Sequence, residues 1–406
     1  MNRTLSRFLF SVAIPLGVVT TAQANDVEAW RLFVGDQQAA KLTAINGVTG
    51  EQLAEFPLKG YATHLVPSES GQTVFAVQMD GNAVDVIKTG VSLGDHGEHR
   101  DIELEDPALL PVRMEGKRPV HAVPHGGEIL QFFDLEGEAR VVRENELLEG
   151  KTDYERVKTT APHHGIVVPL GSYMLMSEPN MTVDTKPDEL PPRLGLKVTD
   201  AQGQQVGDIA PCTGLHGEAS SIGVVAFGCE EGVLVASGDG SKPPEVKMLQ
   251  YGQDMPEGKV GTLLGGKAMQ FFLGNYGEDK VVVIDPSAEE AFRLVQLPGR
   301  RVDFALDSKR VTTAYVFTED GKLHTLDVLT GKLSRSQQIT QPYSKDGHWR
   351  DPRPRLAVMG DEIAVTDPRE QLVRILDAKT LQEARSFPVK GMPFNIVAIG
   401  GSGVRH

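Results

Sequence analysis

Short apolar runs separated by polar turns fill most of the chain. Each run holds four to six residues rich in Val, Ile, Phe and Leu, and it ends at Gly, Asp, Asn or Pro. Residues 73–77, for example, lead through Asp80, Gly81 and Asn82 into a second run at 83–87. No window shows a sustained helical period, so the pattern predicts an all-β protein.

The strand pairs recur along the chain. They are predicted at 73–77 with 83–87, 129–133 with 139–142, 268–272 with 280–285, 314–317 with 323–326, and 362–366 with 371–376. The spacing is roughly forty residues, the period of propeller blades. Because one blade cannot bury both of its faces, blades stack radially into a closed ring. The fold class is therefore predicted to be a β-propeller.

The number of blades follows from the innermost strands. Their predicted starts are Ala62, Pro119, Pro162, Gly214, Val260, Arg301, Pro354 and Met392. The last of these runs, 394–399, has no strand after it, whereas the amino-terminal runs 31–34 and 44–46 lack an inner strand. We therefore predict eight blades rather than seven. Amino- and carboxy-terminal strands share one blade and close the ring.

The amino terminus has the pattern of a secretory signal. Arg3 and Arg7 precede an apolar stretch at 8–19, and Ala22-Gln23-Ala24 forms a small-x-small cleavage site. We expect cleavage between Ala24 and Asn25, export to the periplasm, and a single propeller domain over 25–406. No later apolar run is long enough for a membrane-spanning helix, so no membrane insertion is expected.

Charge and cysteine content narrow the partners and the compartment. The formal net charge is −14, and it becomes −16 when Arg3 and Arg7 are removed with the signal. An acidic surface argues against nucleic acid as a partner and suits attraction of cations, although it also simply maintains solubility. The two cysteines, Cys212 and Cys229, are expected to form one disulfide in an oxidising compartment; the alternative is thiolate ligation of zinc. We expect a monomer.

Histidines recur at one position of the repeat. When the inner strands are aligned, four consecutive blades carry a histidine near the start, and a later blade carries Asp303; the histidines are His64, His121, His164 and His216. All four would line an arc of one mouth of the central channel. The alternative to a metal site is a structural role, in which each histidine hydrogen-bonds a neighbouring loop. Four of the eleven histidines in one register favour a metal site, and zinc takes nitrogen and oxygen ligands. His163 and the strand residue His324 are expected to lie outside this arc.

A second group of potential ligands lies in a glycine-rich and acidic stretch. Asp95, His96 and His99 fall in a segment at about 91–118 that is predicted to be a flexible metal-binding loop. We expect this loop to connect the second blade to the third and to cross the same mouth as the arc. It would then complete a zinc tetrahedron. The alternative is a solvated loop that happens to contain two histidines.

The Asp95-His96-Gly97-Glu98-His99 loop, the histidines that open successive blades and the signal sequence together resemble those of the AztD family. The resemblance implies a periplasmic zinc metallochaperone, a β-propeller that holds Zn(II) and transfers it to the solute-binding protein of a zinc ABC transporter. It implies no enzymatic activity. A metal-dependent propeller enzyme of the lactonase or oxidoreductase type, and a non-catalytic interaction scaffold, are the competing hypotheses. Because neutral imidazoles bind zinc, affinity is expected to fall below about pH 6.5.

Overall fold

The computed structural model describes residues 26–95, 97, 100–266 and 269–405. Over these ranges the chain forms β-strands and one five-residue helix. No helix in this part of the chain is long and apolar enough to span a membrane.

The strands are arranged as eight blades around a central channel. The first blade begins with β1 (Asp26–Asp36), β2 (Lys41–Asn46) and β3 (Gln52–Pro57). The second contains β4 (His64–Pro67), β5 (Thr73–Gln78), β6 (Ala83–Lys88), an inserted hairpin of β7 (Val91–Asp95) and β8 (Arg100–Leu104), and β9 (Ala108–Glu115). The third contains β10 (Pro119–His125), β11 (Glu128–Phe133), β12 (Glu138–Arg143), helix α1 (Glu144–Leu148) and β13 (Glu155–Lys158).

The next three blades have four strands each. The fourth contains β14 (Val167–Leu170), β15 (Tyr173–Pro179), β16 (Arg193–Thr199) and β17 (Ala210–Pro211). The fifth contains β18 (His216–Ser221), β19 (Val224–Gly228), β20 (Gly232–Ser237) and β21 (Glu245–Gln250). The sixth contains β22 (Leu263–Leu264), β23 (Phe272–Tyr276), β24 (Lys280–Ile284) and β25 (Phe292–Gln296).

Two further blades complete the ring. The seventh contains β26 (Arg301–Leu306), β27 (Thr313–Thr318), β28 (Lys322–Asp327) and β29 (Lys332–Gln338). The eighth contains β30 (Leu356–Met359), β31 (Glu362–Asp367), β32 (Leu372–Asp377) and β33 (Glu383–Pro388). The last strand, β34 (Pro393–Val404), returns to the first blade.

The two ends of the chain close the ring, as predicted. Strand β34 pairs antiparallel with β1 from Asp36↔Pro393 to Asp26↔Val404, and the strand order in this sheet is β3-β2-β1-β34 followed by β8 and β7. The innermost strand of the first blade therefore comes from the carboxy terminus and its outer strands from the amino terminus. Both predictions, the eight blades and the shared closing blade, are confirmed.

The core lies between neighbouring blades. Strand β5 is buried at all six positions, because both of its faces pack against adjacent blades. Phe132, Val168 and Phe227 come from three successive blades and share one apolar cluster, each exposing 1% or less of its surface. Full burial of a side chain of this size contributes about 1.5–3 kcal/mol. The stacked blades thus hold the ends of the inner strands in fixed positions around the channel.

The inserted hairpin leaves its blade at the end away from the histidines. His64 pairs with Val77 at one end of the second blade, whereas Thr73 pairs with Lys88 at the other. Lys88 in turn pairs with Ala108, and β7 and β8 are inserted between these two residues. The prediction that this segment crosses the histidine mouth is therefore wrong for its described part. The segment connects the third strand of one blade to the fourth strand of the same blade, since 108–115 is itself that fourth strand.

Several strand boundaries also differ from the prediction. Strand β23 begins at Phe272 and continues to Tyr276, so residues 269–271 of the predicted strand precede it. The inner strands predicted to start at Pro162 and Val260 begin at Val167 and Leu263. In these places the described residues before the strand belong to the connection and not to the ladder, which sequence pattern alone does not distinguish.

Candidate metal centre

The four predicted histidines lie where inner strands begin, at one mouth of the channel. His64 and His216 are the first residues of β4 and β18, His121 is the third residue of β10, and His164 lies three residues before β14. The inner strands of a propeller all run in the same direction along the channel. Residues near the starts of these strands on neighbouring blades therefore lie side by side at one mouth. The register inferred from the sequence alignment is therefore present in the fold.

Three of these imidazoles are in direct contact. The ring centroids of His121 and His164 are 4.8 Å apart, those of His164 and His216 are 5.4 Å apart, and those of His121 and His216 are 6.1 Å apart. We call these three residues the histidine cluster. Three imidazoles around one zinc ion would have centroids roughly 5 Å apart, because each metal–nitrogen bond is about 2.0–2.1 Å. The observed separations are close to that arrangement.

His164 is oriented by a buried carboxylate. Its Nδ1 atom lies 2.7 Å from Oδ2 of Asp134, which has no exposed surface. Asp134 follows β11 in the preceding blade, and Arg118 Nε lies 3.5 Å from the same oxygen. With the carboxylate oxygen as acceptor, His164 donates from Nδ1, and in the neutral ring the lone pair is then on Nε2. A carboxylate behind the imidazole is the arrangement found behind metal-bound histidines.

His216 is oriented by a backbone carbonyl. Its Nδ1 atom lies 2.7 Å from the carbonyl oxygen of Gly261 in the next blade, so its Nε2 also carries the lone pair. Gly217, which follows, has φ +70° and forms an irregularity in the pairing of β18 with β19. A Cβ at Gly217 would lie 2.7 Å from that same carbonyl oxygen. Only glycine allows the backbone to approach the carbonyl that fixes the ring.

His121 completes the cluster through its neighbour. Its Nε2 lies 3.2 Å from Nε2 of His164, and since the latter nitrogen carries the lone pair, His121 donates the proton. The nitrogens of two imidazoles on a tetrahedral zinc ion are about 3.3 Å apart. Among the described residues, no group of three or more His, Cys, Asp or Glu side chains is already arranged to hold a metal ion. To accept one, the cluster needs small ring rotations and a move of the His121 proton from Nε2 to Nδ1, which frees the Nε2 lone pair.

Three imidazoles at the mouth, those of His64, His121 and His216, have lowered pKa values, which favours the neutral form that binds metals. Burial lowers the pKa of His64 to about 4, with further lowering by the charge of Arg355. Burial also lowers the pKa of His121 well below its ordinary value, assisted by the neighbouring His164. The pKa of His216 is lowered by the surrounding protein, opposed by its bond to Gly261. Proton competition for zinc therefore begins at a lower pH than an ordinary imidazole pKa would indicate.

Across the mouth from the histidines, Asp303 and Arg355 form an ion pair and do not add ligands to the cluster. His64, His121 and Asp303 line one cavity of about 290 Å³ together with Arg355. Asp303 does not face the imidazoles as a ligand would, because its Oδ2 accepts the Leu356 backbone N–H at 2.9 Å and its Oδ1 lies 3.6 Å from Arg355. The arc is therefore one-sided.

Of the ligands predicted in the 91–118 segment, the structure describes Asp95, which is separate from the cluster. Asp95 ends β7 in the hairpin at the opposite end of its blade, where its Oδ1 accepts the Gly97 N–H at 2.8 Å. His96 and His99 lie outside the described residues. His163 is fully buried with both ring nitrogens occupied, by the Ala161 carbonyl and Ser177 Oγ, each at 2.8 Å, so its role is structural.

Sequence reasoning missed two residues that hold the cluster. Asp134 is one, and the signal for it was a carboxylate directly after the apolar run of β11, at the same blade end as the histidines. Arg193 is the other. Its guanidinium donates to the carbonyls of His164 at 3.3 Å and Gly214 at 3.4 Å, and so links the two segments that carry His164 and His216. Nothing in the sequence pattern singles out that arginine.

The disulfide between Cys212 and Cys229 is present, as predicted. Both sulfurs are held in this bond, so neither is available as a thiolate ligand for zinc. Cys229 follows Gly228, which pairs with His216. The bond therefore ties the segment that carries His216 to the adjacent strand. A buried disulfide is typical of an extracytoplasmic protein.

The fold and the site define a class of protein: an eight-bladed propeller that presents a cluster of neutral histidines at one channel mouth. A curated protein from Citrobacter koseri, the zinc chaperone AztD, is 44% identical over the whole of this chain and 94% of its own length. A crystal structure of Citrobacter koseri AztD superposes with a TM-score of 0.89 at 45% identity, covering 94% of this chain and all of that one. A structure of the apo protein from the same organism gives 0.87 at 44% identity, covering 93% and 99%.

The chain therefore belongs to the AztD family of zinc chaperones. No family model matches it. Membership in a family of chaperones agrees with the expectation of a protein that is not an enzyme, and it identifies Zn(II) as the metal. It also implies a partner in zinc transport and, with the disulfide, an extracytoplasmic location.

Proposed function

We propose that this protein captures Zn(II) with His121, His164 and His216 and transfers it to the solute-binding protein of a zinc ABC transporter. The observation that carries the proposal is the orientation of the cluster. Asp134 and the Gly261 carbonyl occupy the Nδ1 atoms of two rings, so that both direct Nε2 lone pairs toward a common centre. The proton that His121 shares with His164 moves to His121 Nδ1, and zinc binds the two Nε2 lone pairs that are then free.

Transfer follows from the incomplete ligand set. Three imidazoles leave one position of a tetrahedral zinc ion open, and the cluster lies at a channel mouth and not inside a closed cavity. A ligand from the docked partner enters that position, and the cluster histidines then leave one at a time. Each intermediate keeps the ion bound, so no free zinc is released.

His64 and the hairpin have supporting roles in this proposal. His64 lines the cavity beside His121 and serves as an alternative ligand while the ion moves. Asp95, His96 and His99 form a second capture element. Because the hairpin leaves its blade at the far end from His64, this element acts on a different zinc ion and does not complete the coordination of the cluster.

We propose that the protein works in the periplasm as a monomer, after cleavage between Ala24 and Asn25 leaves a single propeller of residues 25–406. Periplasmic export would bring it to the solute-binding protein, and the buried disulfide is compatible with that compartment.

The test measures zinc binding and zinc transfer separately. Zinc affinity is determined by competition with a chromophoric chelator, and transfer by mixing the loaded protein with metal-free solute-binding protein in excess chelator. The wild type should transfer zinc under conditions in which the chelator captures none. His121→Ala/His164→Ala should lose both tight binding and protected transfer. Wild-type zinc that passes through the chelator pool would contradict direct transfer, and unchanged affinity of the double variant would contradict the site.

A further inference from the structure

The channel mouth has a cationic side opposite the histidine cluster. Arg301 begins β26, Arg355 immediately precedes β30, and the connection between the seventh and eighth blades contributes Lys345 and Arg353. Arg353, Arg355 and Arg301 are each close enough to Lys345 to disfavour its positive charge. This grouping of cations stands out in a chain whose formal net charge is −14.

Lys345 lacks a counter-ion in direct contact. Its ammonium group is half-buried and has no hydrogen-bond acceptor among the described residues, although Asp303 contributes a weaker favourable charge. Burial and the neighbouring cations lower the pKa of Lys345 to about 8. A lysine is held in such surroundings only at a cost, because its charge has lost water without gaining a partner.

Hydrogen bonds from Arg353 hold the backbone of the connection around Lys345 in place. Arg353 exposes only 4% of its surface and donates to the carbonyls of Ser344 at 2.7 Å, Asp346 at 2.8 Å and His348 at 3.0 Å. Its guanidinium thus fixes the backbone on both sides of Lys345.

The nearby carboxylates neutralise the group only in part. Arg301 donates to the Lys280 carbonyl at 2.7 Å and not to a carboxylate. Arg353 has Asp351 at 3.7 Å, and Arg355 has Asp303 at 3.6 Å, both longer than a hydrogen bond. Glu319 and Asp346, the other carboxylates beside the connection, form their ion pairs with Arg300.

Cations and imidazoles meet in the same cavity. Arg355 lines the space of about 290 Å³ that His64 and His121 also line. A water molecule occupies about 30 Å³, so a small oxyanion fits. An anion bound beside Arg355 therefore lies within the mouth of the zinc site.

We propose that Lys345, Arg301 and Arg355 form a carboxylate-binding site in the mouth, and that the bound carboxylate supplies the fourth ligand of the zinc ion. Guanidinium and ammonium groups bind carboxylates through charge-assisted hydrogen bonds, and zinc accepts carboxylate oxygen. The zinc role rests on the proposed function, whereas anion binding does not. The carboxylate is either a free small molecule or an acidic side chain of the protein that receives the zinc.

The test titrates the metal-free protein by calorimetry at low ionic strength with two probes, malonate and a hexaglutamate peptide. Lys345→Gln should weaken binding by about tenfold or more, the loss expected for one charge-assisted contact. Lys390→Gln removes the same charge from the connection before β34, on the same face; Lys390 is not among the cations that act on Lys345, so this variant should leave binding unchanged.

The outcomes distinguish a small carboxylate from an acidic partner segment, and they test the carboxylate site separately from the zinc site. Binding of malonate assigns the site to a small anion; binding of the peptide alone assigns it to an acidic partner segment. If neither probe binds, or if both lysine variants weaken binding equally, the carboxylate site is wrong. Because these titrations contain no zinc, they can fail while the histidine cluster still binds zinc, and they can succeed while it does not.

Discussion

His164 Nδ1 and Asp134 Oδ2 lie 2.7 Å apart, and the carboxylate belongs to a different blade and is fully buried. This contact fixes both the direction of the ring and the nitrogen that carries the lone pair. Asp134→Asn keeps an acceptor but removes the charge that strengthens the ligand. We expect zinc affinity, measured by chelator competition, to fall by about 10- to 100-fold.

The control for that variant is another buried carboxylate. Asp85 exposes 2% of its surface, pairs with Arg113 at 2.6 Å and touches no histidine. Asp85→Asn should reduce stability without changing zinc affinity. Equal loss of zinc affinity in both variants would show that the effect comes from general destabilisation.

Adjacent histidines in the chain should differ in their effect on zinc. His164→Ala removes a cluster imidazole, so zinc affinity should fall further than in the Asp134 variant; it should also cost about 1–3 kcal/mol of stability, because buried Asp134 loses its hydrogen-bond partner. His163→Ala removes a ring bonded at both nitrogens, and Ser177 keeps only its hydrogen bonds to the Ile166 backbone. It should cost on the order of 2–4 kcal/mol in urea unfolding and spare zinc affinity. A zinc defect confined to His163→Ala would reverse the assignment.

Removal of the disulfide should affect zinc binding through His216. The bond closes a loop with a sequence separation of 17, so Cys212→Ala/Cys229→Ala should lower the free energy of unfolding by about 3 kcal/mol. It should also weaken zinc binding, because the His216 segment is no longer tied to β19. In a His216→Ala background the same change should leave zinc affinity unaltered. A further loss of affinity in that background would mean that the bond acts elsewhere in the site.

The sequence contained most of the fold and half of the site. The repeat period, the terminal strands and the in-register histidines could be predicted, because each is recognised from a short, continuous stretch of sequence. The position of the hairpin does not, because a strand after it, such as β9, can belong to the blade before or to the one that follows. Asp134 and Lys345 act across blade boundaries, and a contact between residues 30 or more positions apart leaves no signal in a single sequence.

The stability of the zinc-free protein should depend on His64 below neutral pH. The pKa of this buried imidazole is about 4 in the folded state and about 6.5 in the unfolded chain. The unfolded state therefore binds the proton first as pH falls, and the stabilisation present above pH 6.5 is lost between there and pH 4. From pH 7 to pH 5 this group accounts for about 2 kcal/mol.

Urea unfolding at the two pH values measures this contribution. His64→Gln should show a smaller loss between pH 7 and pH 5 than the wild type. His125→Gln, at the opposite end of its inner strand, controls for the removal of an imidazole. Parallel pH profiles for His64→Gln and the wild type would contradict the assignment.

The hairpin and the histidine cluster should bind zinc independently, because the hairpin leaves the second blade at the end opposite the channel mouth where the cluster lies. Asp95 pairs with Arg100, so a two-residue Asn-Gly turn can replace residues 96–99 without loss of the β7–β8 pairing. Chelator competition should give a cluster affinity within about twofold of the wild type, since additivity holds for separated sites. His121→Ala/His164→Ala is the reciprocal variant and should keep any zinc bound by the hairpin. If the turn replacement weakens the tight site by tenfold or more, the hairpin and the cluster hold the same ion, and the opposite-end arrangement is not the one that binds zinc.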